Sequence, residues 1–223
     1  MDINGVKIDF LGHDGFRIQN SKTIVIDPYQ ISDKVGKADI LLITHGHYDH
    51  CSIEDIKKVV ENGTIVVCTA DCQSKITEVS EVQVNIQVVE VGETIDLGNI
   101  KVECVPAYNK NKDYHPKSEG WLGYLIKIGN LIIYHAGDSD FIPEMQKLSG
   151  YGKHGNKFVA LLPVSGKYVM DAEEAAEAAS IINPDLAIPM HYGAGVAGTI
   201  EDAKRFVELC KEKNIKAEIL EKT

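Results

Sequence analysis

The sequence predicts a mixed α/β protein in which helices cover the outer faces of two central sheets. Short segments rich in β-branched residues recur along the chain, separated by Gly, Asn, Ser and Pro, as expected of strands. Longer segments with acidic first turns alternate with these strands in both halves of the chain. No Pro-, Gly- or Ser-rich linker divides the 223 residues, so we expect a single domain, residues 1–223.

The strand predictions follow the chain in three groups. The first comprises VKIDF, GFRIQ, TIVID and ADILLIT. The second comprises TIVVC and at least two strands between residues 84 and 105. The third follows a polar loop of about residues 108–120 and comprises WLGYLIKI, NLIIYHA, KFVALLPV, LAIPM and KAEIL.

Four segments between these strands are predicted to be helical. IEDIKKVVEN follows Ser52, an N-cap residue whose hydroxyl can accept a hydrogen bond from the first turn. DAEEAAEAASIIN ends where Asn183 precedes Pro184, because a residue before proline disfavours the helical conformation. The other two predicted helices are ADCQSKITEV and TIEDAKRFVELCKEKN.

Composition excludes several classes of function. A net charge of -10 argues against a general nucleic-acid-binding surface, which needs clustered Lys and Arg. No apolar run approaches the ~20 residues of a membrane helix, and the N-terminal segment lacks the pattern of a signal peptide. The five cysteines form no paired framework and are predicted to be free thiols. We therefore expect a cytoplasmic protein whose partner is a small-molecule substrate; the sequence leaves its oligomeric state open.

The segment ILLITHGHYDHCS carries the chemistry. A buried strand ends at Thr44, and four potential metal ligands follow within six residues: His45, His47, Asp49 and His50. Imidazole nitrogen and carboxylate oxygen suit borderline divalent metals such as zinc. Side chains two apart in an extended segment point the same way, so the first two histidines can bind one ion. The last two precede a helix, where the turning backbone can direct them to a second ion.

This segment resembles the His-x-His-x-Asp-His signature of the metallo-β-lactamase superfamily. Three further segments resemble those of the family: TIVIDP, which places Asp27 beside the ligands, YHAGDSD, which contains Asp138, and IPMHYG, which contains His191. LGH near the N-terminus, YHAGD, LLPV and PMHYG, in this order, are similar to the small metal-dependent hydrolases related to L-ascorbate-6-phosphate lactonase.

The resemblance implies a four-layer αβ/βα sandwich of the metallo-β-lactamase type with two divalent ions, zinc first and manganese or iron as alternatives. It implies one ion on His45, His47 and a third histidine. The other ion would lie on Asp49, His50 and His191, with Asp138 bridging the two. Asp49 and Asp138 are the residues expected to act in catalysis.

The third histidine of the first ion is missing at its usual place. The sequence there reads VPAYN, and Asn109 is a poor zinc ligand beside imidazole. His115 follows six residues later, so we predict that the loop folds back and His115 completes the site. The alternative is that His115 contacts substrate or solvent and that the ion has only two protein ligands.

Other residues near the predicted site receive weaker interpretations. His13 and His135 are expected either to orient ligands or to be ordinary half-buried histidines. Three loop lysines would favour an anionic substrate if the loop covers the site, and otherwise belong to a solvated loop: Lys110, Lys112 and Lys117.

These observations predict a metal-dependent hydrolase that activates water against an ester, lactone or phosphodiester-type bond. The alternatives are a non-catalytic or degraded metal-binding module of the same fold and a glyoxalase-II-like thioesterase.

Overall fold

A computed structural model describes all residues from 1 to 223. Its contacts divide the chain into two compact units, residues 1–90 with 220–223, and residues 91–219. No helix is both long and apolar enough to span a membrane.

The first unit contains a seven-stranded sheet in which the strands lie in chain order. They are β1 (Asp2–Ile3), β2 (Val6–Gly12), β3 (Gly15–Gln19), β4 (Thr23–Ile26), β5 (Ile40–Leu42), β6 (Ile65–Cys68) and β7 (Asn85–Val88). The last four strands, β4 to β7, are parallel to one another, so their carboxyl ends meet at one edge. Helices α1 (Ile53–Val59) and α2 (Ala70–Ile76) contribute Ile56, Val59, Cys72 and Ile76 to an apolar cluster with the sheet.

The second unit contains a six-stranded sheet in the order β13-β12-β11-β10-β9-β8. The strands are β8 (Thr94–Asp96), β9 (Ile100–Pro106), β10 (Leu122–Ile128), β11 (Leu131–His135), β12 (Lys157–Pro163) and β13 (Leu186–Met190). Two helices, α3 (Ala172–Ile182) and α4 (Ile200–Glu212), pack on each other and on β12 and β13 respectively. Strands β11, β12 and β13 are parallel, and β9 runs in the same direction because β10 is antiparallel to both β9 and β11.

The predicted mixed α/β class with two sheets and helices is confirmed.

Local sequence signals account for the ends of several helices. The Ser52 side chain accepts a hydrogen bond from the backbone of Asp55, as predicted. Asp171 and Thr199 form capping boxes at the starts of α3 and α4, and Asn183 ends α3 in the left-handed conformation.

The prediction of a closing strand at KAEIL is wrong. Residues 216–220 form no strand, and only an isolated bridge joins Ala217 to Ala187 of β13. The bridge consists of one hydrogen bond from Ala187 N to Lys216 O and one from Glu218 N to Ala187 O. The segment therefore touches the sheet edge at one point instead of extending along it.

Candidate metal centre

Each unit collects metal-ligating side chains at the carboxyl edge of its parallel strands, where ligand sites of open α/β sheets occur. In the first unit, Asp27 follows β4 and the motif beginning at His45 follows β5. In the second unit, Asp138 follows β11 and His191 follows β13. Sheet topology therefore brings together segments that are distant in sequence.

In the first unit the four motif residues come together as predicted. The His45 ring lies 4.6 Å from that of His47 and 4.1 Å from that of His50, measured between ring centroids. Asp49 Oδ2 lies 3.8 Å from His50 Nε2. Asp49 and His50 are buried, as is His45, so the motif is not a solvated loop.

Two further donors join this group, and sequence reasoning gave neither of them a ligand role. His13 Nε2 lies 2.9 Å from Asp49 Oδ2, and Asp14 Oδ2 lies 3.5 Å from His50 Nε2. Both residues are fully buried in the turn between β2 and β3. The segment LGH had singled out His13 as a residue that could orient ligands, whereas no sequence signal pointed to Asp14.

In the second unit two imidazole nitrogens converge on one carboxylate oxygen. His115 Nε2 lies 3.1 Å and His191 Nε2 lies 3.3 Å from Asp138 Oδ2. All three side chains are at least 97% buried. Two imidazole nitrogens and a carboxylate oxygen at this spacing are the donor set that zinc and similar ions prefer.

The second unit also shows why the chain tolerates an asparagine at position 109. Asn109 Nδ2 donates to Tyr168 O at 2.5 Å and lies 3.2 Å from His115 Nδ1, while Asn109 N donates to His115 O at 2.8 Å. The loop folds back, as predicted, so that His115 and not Asn109 lies beside Asp138. Asn109 therefore holds His115 in position, and His115 takes the place beside Asp138 that the family pattern gives to a histidine at position 109.

Hydrogen bonds at Nδ1 orient four of the imidazoles. Each Nδ1 lies within 3.1 Å of an oxygen: His45 with Thr44 Oγ1, His50 with Asp27 Oδ2, His115 with Tyr168 O, and His191 with Ser165 Oγ. A proton held on Nδ1 leaves the lone pair on Nε2, the atom available to a metal. Asp27 lies beside the motif, with its Oδ2 atom 2.8 Å from His50 Nδ1.

Backbone conformation contributes to this arrangement. His115 and His191 adopt φ angles of 53° and 60°, and His13 and Asp27 adopt 55° and 38°. Residues other than glycine occupy this region at a cost, and such residues concentrate at functional sites. Gly137, at φ 60°, precedes Asp138, and a Cβ there would overlap the carbonyl of Leu122.

Other interpreted residues have structural partners. His135 is fully buried and its Nδ1 accepts a hydrogen bond from Gly137 N. Lys112 pairs with the buried Asp140, and Lys117 pairs with Glu144 at 2.8 Å. Lys110 lies over the Phe141 ring. The loop lysines therefore hold the loop to its own unit and give no support to an anionic substrate.

The predicted state of the five cysteines is confirmed, since all five are free and buried. Burial raises the pKa of Cys68, Cys104 and Cys210 to about 12, so these thiols stay protonated at neutral pH.

Comparison with known proteins identifies the family of this chain. The sequence model of the Beta-lactamase superfamily domain matches residues 7–191, which include every donor described above. The chain belongs to the metallo-β-lactamase superfamily.

Relatives within the metallo-β-lactamase superfamily cover nearly the whole chain. A UPF0173 metal-dependent hydrolase of Nanoarchaeum equitans is 34% identical, over 97% of this chain and 97% of its own. Another from Pyrococcus furiosus is 32% identical, over 91% and 92%. A solved structure from Parabacteroides distasonis, assigned as a metal-dependent hydrolase, has a TM-score of 0.81 at 29% identity, covering 97% and 94% of the two chains. The predicted class of metal-dependent hydrolase agrees with these names.

Proposed function

We propose that the protein is a hydrolase whose reaction depends on two divalent ions, zinc first and manganese or iron as alternatives. The ligands would be the seven predicted residues: His45, His47, Asp49, His50, His115, Asp138 and His191. His13 and Asp14 would lie beside them, next to Asp49 and His50 respectively. The observation that carries the proposal is the convergence of His115 and His191 on Asp138 Oδ2, with Nδ1 of each histidine held by its own unit. One ion would be bound by three histidines, His45, His47 and His115. Asp138 would bridge the two ions.

Bound ions of this kind supply Lewis acidity and lower the pKa of water from about 16 towards 7. Asp138 presents one oxygen to both of its histidines, which suits a bridging carboxylate. Asp49 Oδ2 contacts His13 Nε2 at 2.9 Å, so this imidazole orients the carboxylate. Asp49 is then placed to accept a proton from the attacking water and to pass it to the leaving group.

The substrate proposed is a small molecule with an ester, lactone or phosphodiester-type bond. The sequence resemblance to hydrolases related to L-ascorbate-6-phosphate lactonase supports including lactones among these bonds. A thioester is the alternative substrate, since the same activated water would attack it. A protein that binds the ions but hydrolyses none of these bonds would be a non-catalytic metal-binding module.

The test is metal analysis of the purified protein followed by a panel of lactone, thioester and phosphodiester substrates. We expect two ions per chain and hydrolysis of at least one class, lost when Asp138 is changed to Asn. Asp33→Asn is the matched control, because the Asp33 side chain is 89% exposed. Full activity of Asp138→Asn, or a metal content unchanged by it, would overturn the proposal.

A further inference from the structure

A cavity lies in residues 91–219, and none of the proposed metal ligands lines it. It has a volume of about 230 Å³, and we name it the β9–β11 cavity. Its floor is a row across the sheet, since Leu125 of β10 pairs with both Glu103 of β9 and Tyr134 of β11. Its wall is the segment that contains Ile142 and the 3-10 helix Pro143–Leu148.

The lining of the β9–β11 cavity is mainly apolar and well ordered by packing. Leu125, Ile142, Met145 and Leu148 line it, and each is less than 7% exposed. An apolar cavity of about 150 Å³ is large enough to bind benzene. The larger β9–β11 cavity therefore suits a planar or branched molecule of about ten non-hydrogen atoms.

The hydroxyl group of Tyr134, on the floor of the cavity, has no hydrogen-bond partner in the chain. Tyr134 is 1% exposed, and its hydroxyl forms no hydrogen bond with another residue. The nearby Tyr108 differs, because its hydroxyl donates to Glu144 at 2.8 Å. Tyr134 lines the cavity, so a molecule there can accept a hydrogen bond from its hydroxyl.

The charges around the cavity select an uncharged occupant. Glu103 and Glu144 line it with Lys147, and Glu144 already pairs with Lys117 at 2.8 Å. Burial and the nearby Glu144 carboxylate raise the pKa of Tyr134, so its hydroxyl stays protonated and donates. Lys147 and the Lys117 partner of Glu144 balance the two carboxylates, so a neutral carbonyl oxygen can accept from the tyrosine without leaving a charge unpaired.

We propose that the β9–β11 cavity is a binding site for a small, uncharged carbonyl compound whose oxygen accepts a hydrogen bond from Tyr134. The apolar body of this compound would lie against Leu125, Ile142 and Met145. The site is separate from the proposed metal ligands and does not depend on the proposed hydrolysis.

Two probes of equal shape test this assignment. Acetophenone carries the carbonyl oxygen, and α-methylstyrene replaces that oxygen with a methylene group. Binding is measured by NMR on the methyl groups of Leu125, Ile142, Met145 and Leu148. We expect both probes to shift these methyl signals, and acetophenone to bind about three- to tenfold more tightly than its isostere, as one net hydrogen bond allows.

Two variants locate the interaction. Tyr134→Phe should abolish the preference for acetophenone and leave α-methylstyrene binding unchanged, without loss of fold, because the hydroxyl bonds to no residue. Val91→Trp should block both probes, because Val91 lines the cavity and is 43% exposed, which leaves room for a larger side chain. Shifts at other methyl groups only, no binding, or a preference that survives Tyr134→Phe would each overturn the proposal.

Discussion

Residue 115 shows how one side chain can replace another from a different place in the sequence. His115 lies beside Asp138 through its Nε2 atom. Asn109 donates a hydrogen bond to Tyr168 O and contacts the other ring nitrogen of His115, Nδ1. The backbone of residue 115 is left-handed, which turns the ring back toward the sheet edge. The two residues thus divide the work that a single histidine would do: one offers a nitrogen, the other fixes its direction.

We predict different effects for the two substitutions. His115→Ala should remove about one ion per chain or most of the affinity for it, because a ligand is lost. Asn109→Ala should weaken binding by only about tenfold, the lower range for residues that orient a ligand. Metal content and competition with a chelator measure both effects.

His154→Ala is the control for this comparison. His154 is exposed and has a φ of 59°, so the substitution removes another left-handed histidine without touching a proposed ligand. A larger loss from Asn109→Ala than from His115→Ala would move the ligand to Asn109.

At the scale of elements, helix α2 controls the spacing of the first two motif histidines. Asp71 Oδ2 accepts a hydrogen bond from Gly46 N at 2.9 Å, and Lys75 donates to Gly46 O. Both peptide groups around Gly46 are therefore held, between His45 and His47. A Cβ at Gly46 would overlap the Asp71 carboxylate, which explains the glycine inside the motif.

We predict that Asp71→Ala lowers metal affinity by about 10- to 100-fold while the fold remains, because the His45–His47 segment loses its anchor. Asp71→Asn should retain most of the affinity, since its amide oxygen still accepts from Gly46 N. Isothermal titration with zinc and circular dichroism check the two results. Equal affinities in the alanine variant and the unmodified protein would contradict the role of α2.

Helix α1 depends on a buried carboxylate at its start. Burial alone would raise the pKa of Asp55, but the Lys58 ammonium, the Ser52 hydroxyl and backbone N–H groups of Gln30 and Ile31 outweigh it and lower the pKa. Because folding lowers the pKa of Asp55, its ionised carboxylate stabilises the folded state at any pH above about 3.9, the pKa of an aspartate in the unfolded chain. This stabilisation is lost as the pH falls through the lower pKa of Asp55 in the folded state.

Asp55→Asn should therefore reduce the free energy of unfolding at pH 7 by about 1.5–3 kcal/mol, the range for hydrogen bonds to a charged group. The difference from the unmodified protein should shrink as the pH drops below about 4. Urea unfolding at pH 7 and pH 3 measures it, with Asp33→Asn as the exposed control. A difference that stays constant between these pH values would disprove the ionic contribution.

At the scale of the whole molecule, the proposed ions couple function to stability. A ligand that binds only the folded state at 100 times its Kd adds about 2.7 kcal/mol. For a chain of 223 residues this corresponds to a rise in Tm of about 5–10 °C. Chelation should lower the Tm of the metal-loaded protein by this amount and leave the Tm of Asp138→Asn almost unchanged. Equal decreases in both proteins would show that chelation acts elsewhere.

The sequence by itself determined the class of fold and the motif at residues 45–50. Strand alternation and helix caps such as Ser52 are local signals, and the motif ligands are neighbours in the chain, so short-range geometry brings them together. The same locality explains the error at KAEIL, where composition favours a strand but the sheet edge offers only the contact at Ala187.

The tertiary structure decided which distant residues lie beside the motif residues. His13 and Asp14 reach Asp49 and His50 only because the turn after β2 lies beside the loop after β5, and no spacing in the sequence encodes that. The lysines of loop 108–120 found partners in their own unit for the same reason. The physical cause is that the sequence gives the chemical type of each side chain directly. The distance between two segments, in contrast, depends on the order and register of the strands across a sheet.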